Sequence, residues 1–186
     1  MAEMIKIAGI SGSLRKGSFN SSLLTAAKEL APKDCSVEIL SIKGFPLYDG
    51  DMEEEFGIPE VVAKLKDRIA EADGLLLVTP EYNSSIPGVL KNAMDWLTRP
   101  SEDIPRVFRG KPMAIMGATP GLAGTRFSQT AWLPVLRALG VKAWFEKQLY
   151  VNGAAKVFDK SGKLIDEGTR GRLEAFMAGF ARFVKG

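Results

Sequence analysis

Met4-Ile5-Lys6-Ile7-Ala8-Gly9-Ile10-Ser11-Gly12-Ser13-Leu14-Arg15-Lys16-Gly17-Ser18-Phe19-Asn20-Ser21-Ser22 is an apolar run that breaks into a glycine- and serine-rich loop and then into a helical pattern. Residues 4–10 read as a short strand and 18–30 as the helix that follows. A strand delivers the chain to one edge of a sheet, and glycines let the backbone fold closely around a ligand. The first N–H groups of the helix lack intrahelical partners and point outward with the positive end of its dipole. Ser11, Ser13, Ser18 and Asn20 can add hydrogen bonds, and Arg15 offers a planar fork to phosphate oxygens. The stretch therefore reads as a phosphate-binding loop. It follows neither common nucleotide pattern: Lys16 lacks the glycine required before it in G-x-x-x-x-G-K-[ST], and Gly9, Gly12 and Gly17 do not fit G-x-G-x-x-G. A plain helix cap with a solvated turn accounts for one hydroxyl, not for four hydrogen-bonding side chains beside an arginine.

The alternation continues along the chain. Strand candidates run over residues 4–10, 36–41, 74–79, 112–118 and 143–149, and helix candidates over 18–30, 59–72, 87–97, 125–139 and 167–184. Leu75-Leu76-Leu77-Val78 is continuous in apolar residues, as suits a strand covered on both faces of a parallel sheet. In the second helix candidate Val61, Val62, Leu65 and Ile69 recur at helical spacing, with Lys64, Lys66, Asp67 and Arg68 between them. Five strands alternating with five helices predict a doubly wound α/β sandwich, a single domain over residues 1–186. Such sheets bind ligands beyond the carboxyl ends of their strands, where the strand order reverses. The loops expected to matter are 11–18, 80–85 and 119–124. Residues 43–59 form the longest irregular stretch and hold Phe45, Leu47, Tyr48 and Phe56. That stretch reads first as packing on its own domain, with a cover over an entrance or a subunit contact as alternatives.

Composition narrows the chemistry. At 186 residues, 46% hydrophobic and 25% charged, the chain has the balance of one globular domain with a full core. No apolar run approaches the roughly 20 residues that cross a bilayer, and Met1-Ala2-Glu3 leads directly into a strand, so no membrane segment and a cytoplasmic location are expected. The net charge of +3 is distributed without a basic block, which gives nucleic-acid binding little support. A single cysteine, Cys35, excludes an internal disulfide and reads as a small buried hydrophobe. The absence of histidine removes the usual metal ligand and neutral-pH base, so a Ser-His-Asp hydrolase cannot be built. Glu53-Glu54-Glu55 reads as a solvated charge run rather than a carboxylate metal site, and no metal is expected.

The loop after the third strand reads Thr79-Pro80-Glu81-Tyr82-Asn83-Ser84-Ser85 and continues as Ile86-Pro87-Gly88-Val89-Leu90-Lys91-Asn92-Ala93-Met94-Asp95-Trp96. Together with Gly12-Ser13-Leu14-Arg15, Ser18 and Asn20, these ordered motifs resemble the NADPH-dependent FMN reductase family, in its bacterial quinone and chromate reductase branch, along essentially the whole chain. The resemblance implies a flavodoxin-like three-layer sandwich with a five-stranded parallel sheet. It also implies one non-covalent FMN per subunit, NADPH or NADH as hydride donor, and a homo-oligomer, either a dimer or a homotetramer. It places the FMN phosphate at Ser11, Ser13, Arg15, Ser18 and Asn20, and the flavin ring at Pro80, Glu81, Tyr82, Asn83 and Ser84, with Thr119 in the next loop. The residue types agree, since N–H groups of a Glu81-Tyr82-Asn83 turn can meet the polar edge of the ring while Pro80 and Tyr82 flank its body.

The implied reaction is ping-pong, with a hydride passing from NAD(P)H to the flavin and electrons then passing to a small-molecule acceptor such as a quinone or chromate. No side chain is expected to act as a catalytic acid or base in the first step. A flavodoxin-like electron carrier is the alternative; such carriers are usually strongly acidic and lack an arginine in the phosphate loop, whereas this chain has Arg15 and a charge of +3. Ser84 stands where relatives often carry a larger side chain, which implies an open pocket. Lys91 and Asp95, four apart, are expected to pair on a helix surface. Trp96, Trp132 and Trp144 read as core or as a wall for a partner subunit, and Arg126 as a cofactor neighbour, a subunit contact or a surface ion pair.

Overall fold

The apolar run 74–79 becomes the middle of the sheet, and everything that positions the site hangs from it. The structure, a computed structural model, describes residues 4–186, so the expected lead-in Met1-Ala2-Glu3 lies outside the described residues. In chain order the elements are β1 (Ile5–Ser11), α1 (Phe19–Glu29), β2 (Cys35–Leu40), α2 (Gly50–Phe56), α3 (Glu60–Glu71), β3 (Gly74–Val78) and α4 (Gly88–Leu97). A 3-10 turn (Ser101–Asp103) follows, then α5 (Ile104–Val107), β4 (Pro112–Ala118), α6 (Arg126–Ala131), α7 (Leu133–Leu139), β5 (Lys142–Ala143), β6 (Leu149–Val151), α8 (Ala154–Val157) and α9 (Glu167–Lys185). The sheet is parallel, ordered β2-β1-β3-β4, with β5 and β6 both pairing with β4 on its outer edge. From β1 the chain goes to β2 on one side and returns to β3 on the other, so the order reverses between β1 and β3.

All five residues of β3 are buried. Leu75 and Leu77 face a layer with Ile10, Val62, Leu90, Trp96 and Trp132, while Leu76 and Val78 face one with Leu23, Leu24, Phe176 and Phe180. The two-residue period of the strand thus feeds two hydrophobic layers, each fully buried aliphatic side chain contributing about 1.5–3 kcal/mol.

Three expectations change. The strand expected over 143–149 is two short strands, β5 pairing with Pro112 and Met113 and β6 with Met116 to Ala118. Trp144 wedges the intervening segment apart: its ring packs edge-on against Phe176 at 5.0 Å. It also fills the space over Gly179, where a Cβ would lie 2.7 Å from its Cζ2. The helix expected over 125–139 divides at Trp132, because Pro134 has no N–H to continue the ladder and instead sits in the first turn of α7.

The stretch 43–59 is not wholly irregular either. Asp49 accepts from the Asp51 N–H and starts α2, a cap-plus-acidic-turn signal present in the sequence. The segment packs on its own domain: the Pro46 carbonyl accepts from Asn92 Nδ2 at 2.8 Å and Trp96 Nε1 at 2.9 Å, and Tyr48 meets Trp96 edge-on at 5.0 Å. Glu53 is correspondingly not solvated. It accepts from Arg99 Nε and from the Tyr48 hydroxyl, and the Arg99 bond holds its carboxyl below the usual range. Cys35 is buried, and burial pushes its thiol up to about 11.

Candidate active site

Gly12 turns the chain out of β1, and the turn is tight. A Cβ there would lie 2.5 Å from Leu90 Cδ2 and 3.0 Å from Pro80 Cδ, so glycine is what lets the first loop press against the third. Ser18 caps α1, its hydroxyl accepting from the Asn20 and Ser21 N–H groups at 3.2 and 3.4 Å. The N–H groups of Ser13, Leu14, Lys16 and Gly17 find no acceptor among the described residues. Arg15 donates from Nη2 to the Gly17 carbonyl at 2.9 Å and lies 5.8 Å from the centroid of the Phe19 ring, which stacks on Phe158. Asn20 is buried, with both ends of its amide taken by Ala118: Nδ2 donates to the carbonyl at 2.8 Å, and Oδ1 accepts from the N–H at 2.9 Å. The side chain thus stands in for a strand at the end of β4.

The loop after β3 is a two-residue reverse turn. Tyr82 and Ser85 exchange backbone hydrogen bonds at 3.3 and 3.1 Å, and Asn83 and Ser84 both have positive φ, 50° and 59°, as the hairpin type I′ turn requires. Of the three N–H groups expected to meet a ring, that of Tyr82 is therefore used within the turn. Those of Glu81 and Asn83 find no acceptor among the described residues. The Glu81 carboxylate crosses to α6, where Oε2 accepts from Phe127 N–H at 2.8 Å and Ser128 N–H at 3.1 Å. In the loop after β4, Thr119 donates its N–H to Val151 at 2.9 Å, and its hydroxyl accepts from Gly121.

These loops surround a cleft of about 370 Å³ at the point where the strand order reverses, lined by Ser13, Arg15, Ser18, Phe19, Asn20, Pro80, Glu81, Tyr82, Ala118, Thr119 and Pro120. Eight of the eleven residues named from the sequence thus come together. Ser11 pairs with Ser21 at 3.1 Å and lines a neighbouring cavity of about 140 Å³, and Asn83 and Ser84 stand exposed at the tip of their turn. Phe19, Ala118 and Pro120 were not singled out; Phe19, an aromatic at the first helical position beside an arginine, carried a readable signal. A second groove of about 260 Å³ lies at the break between β5 and β6, beside Leu133 and Phe145, away from the β1 and β3 loops.

The remaining ambiguous residues resolve. Lys91 and Asp95 pair at 2.6 Å, and Trp96, Trp132 and Trp144 are core. The Arg126 guanidinium lies 5.6 Å from the centroid of the Tyr150 ring, a cation–π contact rather than an ion pair. Among the described residues no three acidic or cysteine side chains converge as a metal site, and no helix is long and apolar enough to cross a membrane. The cleft offers N–H groups and a guanidinium at one end and a proline–tyrosine wall at the other.

Comparison with known proteins places this geometry. The family model described as NADPH-dependent FMN reductase matches residues 5–156. The chain is 42% identical over 181 residues to a 2-hydroxy-1,4-benzoquinone reductase of a Burkholderia species, covering 97% of each. It is 43% identical over 170 residues to an NAD(P)H-dependent FMN reductase of Pseudomonas aeruginosa, covering 91% of this chain and 90% of the relative. Among solved structures, the flavoenzyme NAD(P)H:(acceptor) oxidoreductase FerB of Paracoccus denitrificans superposes with a TM-score of 0.87 at 34% identity over 98% of each chain. With the family's model spanning most of its length and relatives matching it nearly end to end, the chain belongs to the NADPH-dependent FMN reductase family.

Proposed function

We propose that this chain is an FMN-dependent NAD(P)H oxidoreductase that reduces quinones and, with broad specificity, acceptors such as chromate, with donor and acceptor occupying one site in turn. The observation that carries the reading is the cleft itself, with the Arg15 guanidinium and the free loop N–H groups at one end and Pro80, Tyr82 and Thr119 at the other. That donor set fits FMN. A monophosphate suits the Ser13 to Ser18 loop and the start of α1, and a flat ring with a polar edge suits the turn after β3. Relatives carrying quinone reductase names at 37–42% identity support the acceptor class.

Ser13, Arg15, Ser18 and the loop N–H groups hold the phosphate, while Pro80, the Glu81 and Asn83 N–H groups, Tyr82, Ser84 and the Thr119 hydroxyl surround the ring. Ser11 braces the loop from a neighbouring cavity, and Asn20 lines the cleft while its amide ties the loop to Ala118. FMN, when bound, supplies a ring that accepts a hydride and passes electrons on. The chain's own work is to fix the ring's position and leave one face open, and it needs no imidazole or thiol to do so.

The test is direct. FMN added to the purified chain is expected to lose fluorescence and raise the melting temperature. NAD(P)H oxidation measured against a panel of quinones and chromate is expected to give parallel lines in double-reciprocal plots. Intersecting lines would reject the shared site, and a yellow protein that leaves NAD(P)H unoxidised would favour the electron-carrier reading.

A further inference from the structure

We infer that Glu81 is a positioning residue whose carboxylate latches the flavin-ring turn to helix α6, so that only its backbone faces the cofactor. The helix needs a cap from outside. Thr125, at its N-cap position, has φ 67°, in the left-handed region, and its hydroxyl makes no capping bond. That hydroxyl instead accepts from Gln129 Nε2 at 3.1 Å. Phe127 and Ser128 are the second and third residues of α6, the two whose N–H groups an N-cap side chain ordinarily takes. Both are taken by Glu81 Oε2, reaching across 46 and 47 positions of sequence.

A second stitch lies beneath the first. Thr79 Oγ1, directly before Pro80, is 2.8 Å from Ser128 Oγ and accepts from Trp132 Nε1 at 3.2 Å. The end of β3 is thus tied twice to the same helix, and the turn that carries Tyr82, Asn83 and Ser84 leaves from that anchored point. The latch also settles where the negative charge goes. A carboxylate directed into the cleft would oppose a phosphate-bearing ligand, whereas at the start of α6 it meets two N–H donors and the positive end of a helix.

The inference rests on the proposed FMN site, and its test separates the two. FMN dissociation constants and visible-region circular dichroism of the bound flavin are measured for the unaltered chain, Glu81→Ala and Glu81→Gln, with far-ultraviolet dichroism as a check on folding. Glu81→Ala is expected to weaken FMN binding about tenfold, the size of one lost helix cap, and to alter the flavin dichroism. Glu81→Gln keeps an oxygen able to accept both N–H bonds, so it should recover most of both. Unchanged binding and dichroism in Glu81→Ala would overturn the latch, and so would a Glu81→Gln that fails as badly as alanine. Amide hydrogen exchange at Phe127 and Ser128 in the FMN-free chain gives an independent reading. It should accelerate in Glu81→Ala, and no change there would sink the latch even if the unaltered chain bound no FMN.

Discussion

Arg15 is held at the mouth of the cleft by the Gly17 carbonyl and the Phe19 ring, and among the described residues no carboxylate pairs with it. A guanidinium placed so has its charge available for a ligand. Arg15→Ala is expected to weaken FMN binding by about 1.5–3 kcal/mol, the usual worth of a charged hydrogen bond, and to leave the fold intact. Fluorescence titration measures the first and thermal melting the second; unchanged affinity would contradict the role. Asn20 shows how far sequence reaches at this scale. Its residue type and its place two after a capping serine mark it as a hydrogen-bonding group near the loop, and it is one. What spacing does not carry is the partner, and both ends of the amide are taken by Ala118, 98 positions away. Glu81 repeats the lesson, because its partners become visible only once β3 and α6 are adjacent.

At the level of elements, the strands and long helices followed from periodicity and caps, while the breaks depended on packing. Pro134 announced the division between α6 and α7, but nothing local announced the split of the last strand, whose cause is the fit of Trp144 over Gly179. Glycine is equally decisive where β4 meets α6. A Cβ on Gly117 would lie 2.1 Å from Thr125 Oγ1 and 2.3 Å from the Thr79 carbonyl, both parts of the scaffold that holds the cleft. Gly117→Ala is therefore expected to destabilise the chain by at least about 1–3 kcal/mol and to loosen FMN binding with it, measured by denaturant unfolding and titration.

A second prediction at this scale concerns α3. The buried Lys66 donates to Asp103 at 2.6 Å, and Arg106 also donates to that carboxylate. The Lys66 bond, followed by the Arg106 one, holds the Asp103 carboxyl below its ordinary value of 3.8. A group with its folded pKa depressed contributes fully above the unfolded value and loses that contribution as pH falls through the folded one. Asp103→Asn should thus cost about 1.5–3 kcal/mol at neutral pH, with the gap from the parent narrowing as pH drops below 3.8. A gap that stays constant down to pH 2 would show the pair to be unimportant.

For the whole molecule, the alternation of apolar strands and amphipathic helices pointed to the loops that line the cleft, because the carboxyl ends of β1, β3 and β4 meet where the sheet reverses its order. Surface was less legible than core. Sequence suggested tryptophans and the 43–59 segment as a partner's wall; the tryptophans are buried, whereas Leu47 and Phe56 of that segment stand exposed, as do Leu14, Tyr82, Leu122 and Phe127 on or next to the three cleft loops. Leu122, 91% exposed, stands at the tip of the loop after β4, and Phe127 lies in the first turn of the helix that Glu81 caps. Apolar groups gathered around a ligand's entrance are well explained by a second copy of the chain that covers them and walls the open side of the ring. Sedimentation equilibrium is then expected to show a dimer or tetramer at micromolar concentration. Leu122→Asp, which puts a charge on the most exposed of these apolar side chains, should shift the population toward monomer and lower turnover together. A chain that remains monomeric at every working concentration with full turnover would leave the cleft complete within one subunit, and the exposed rim would then need no partner.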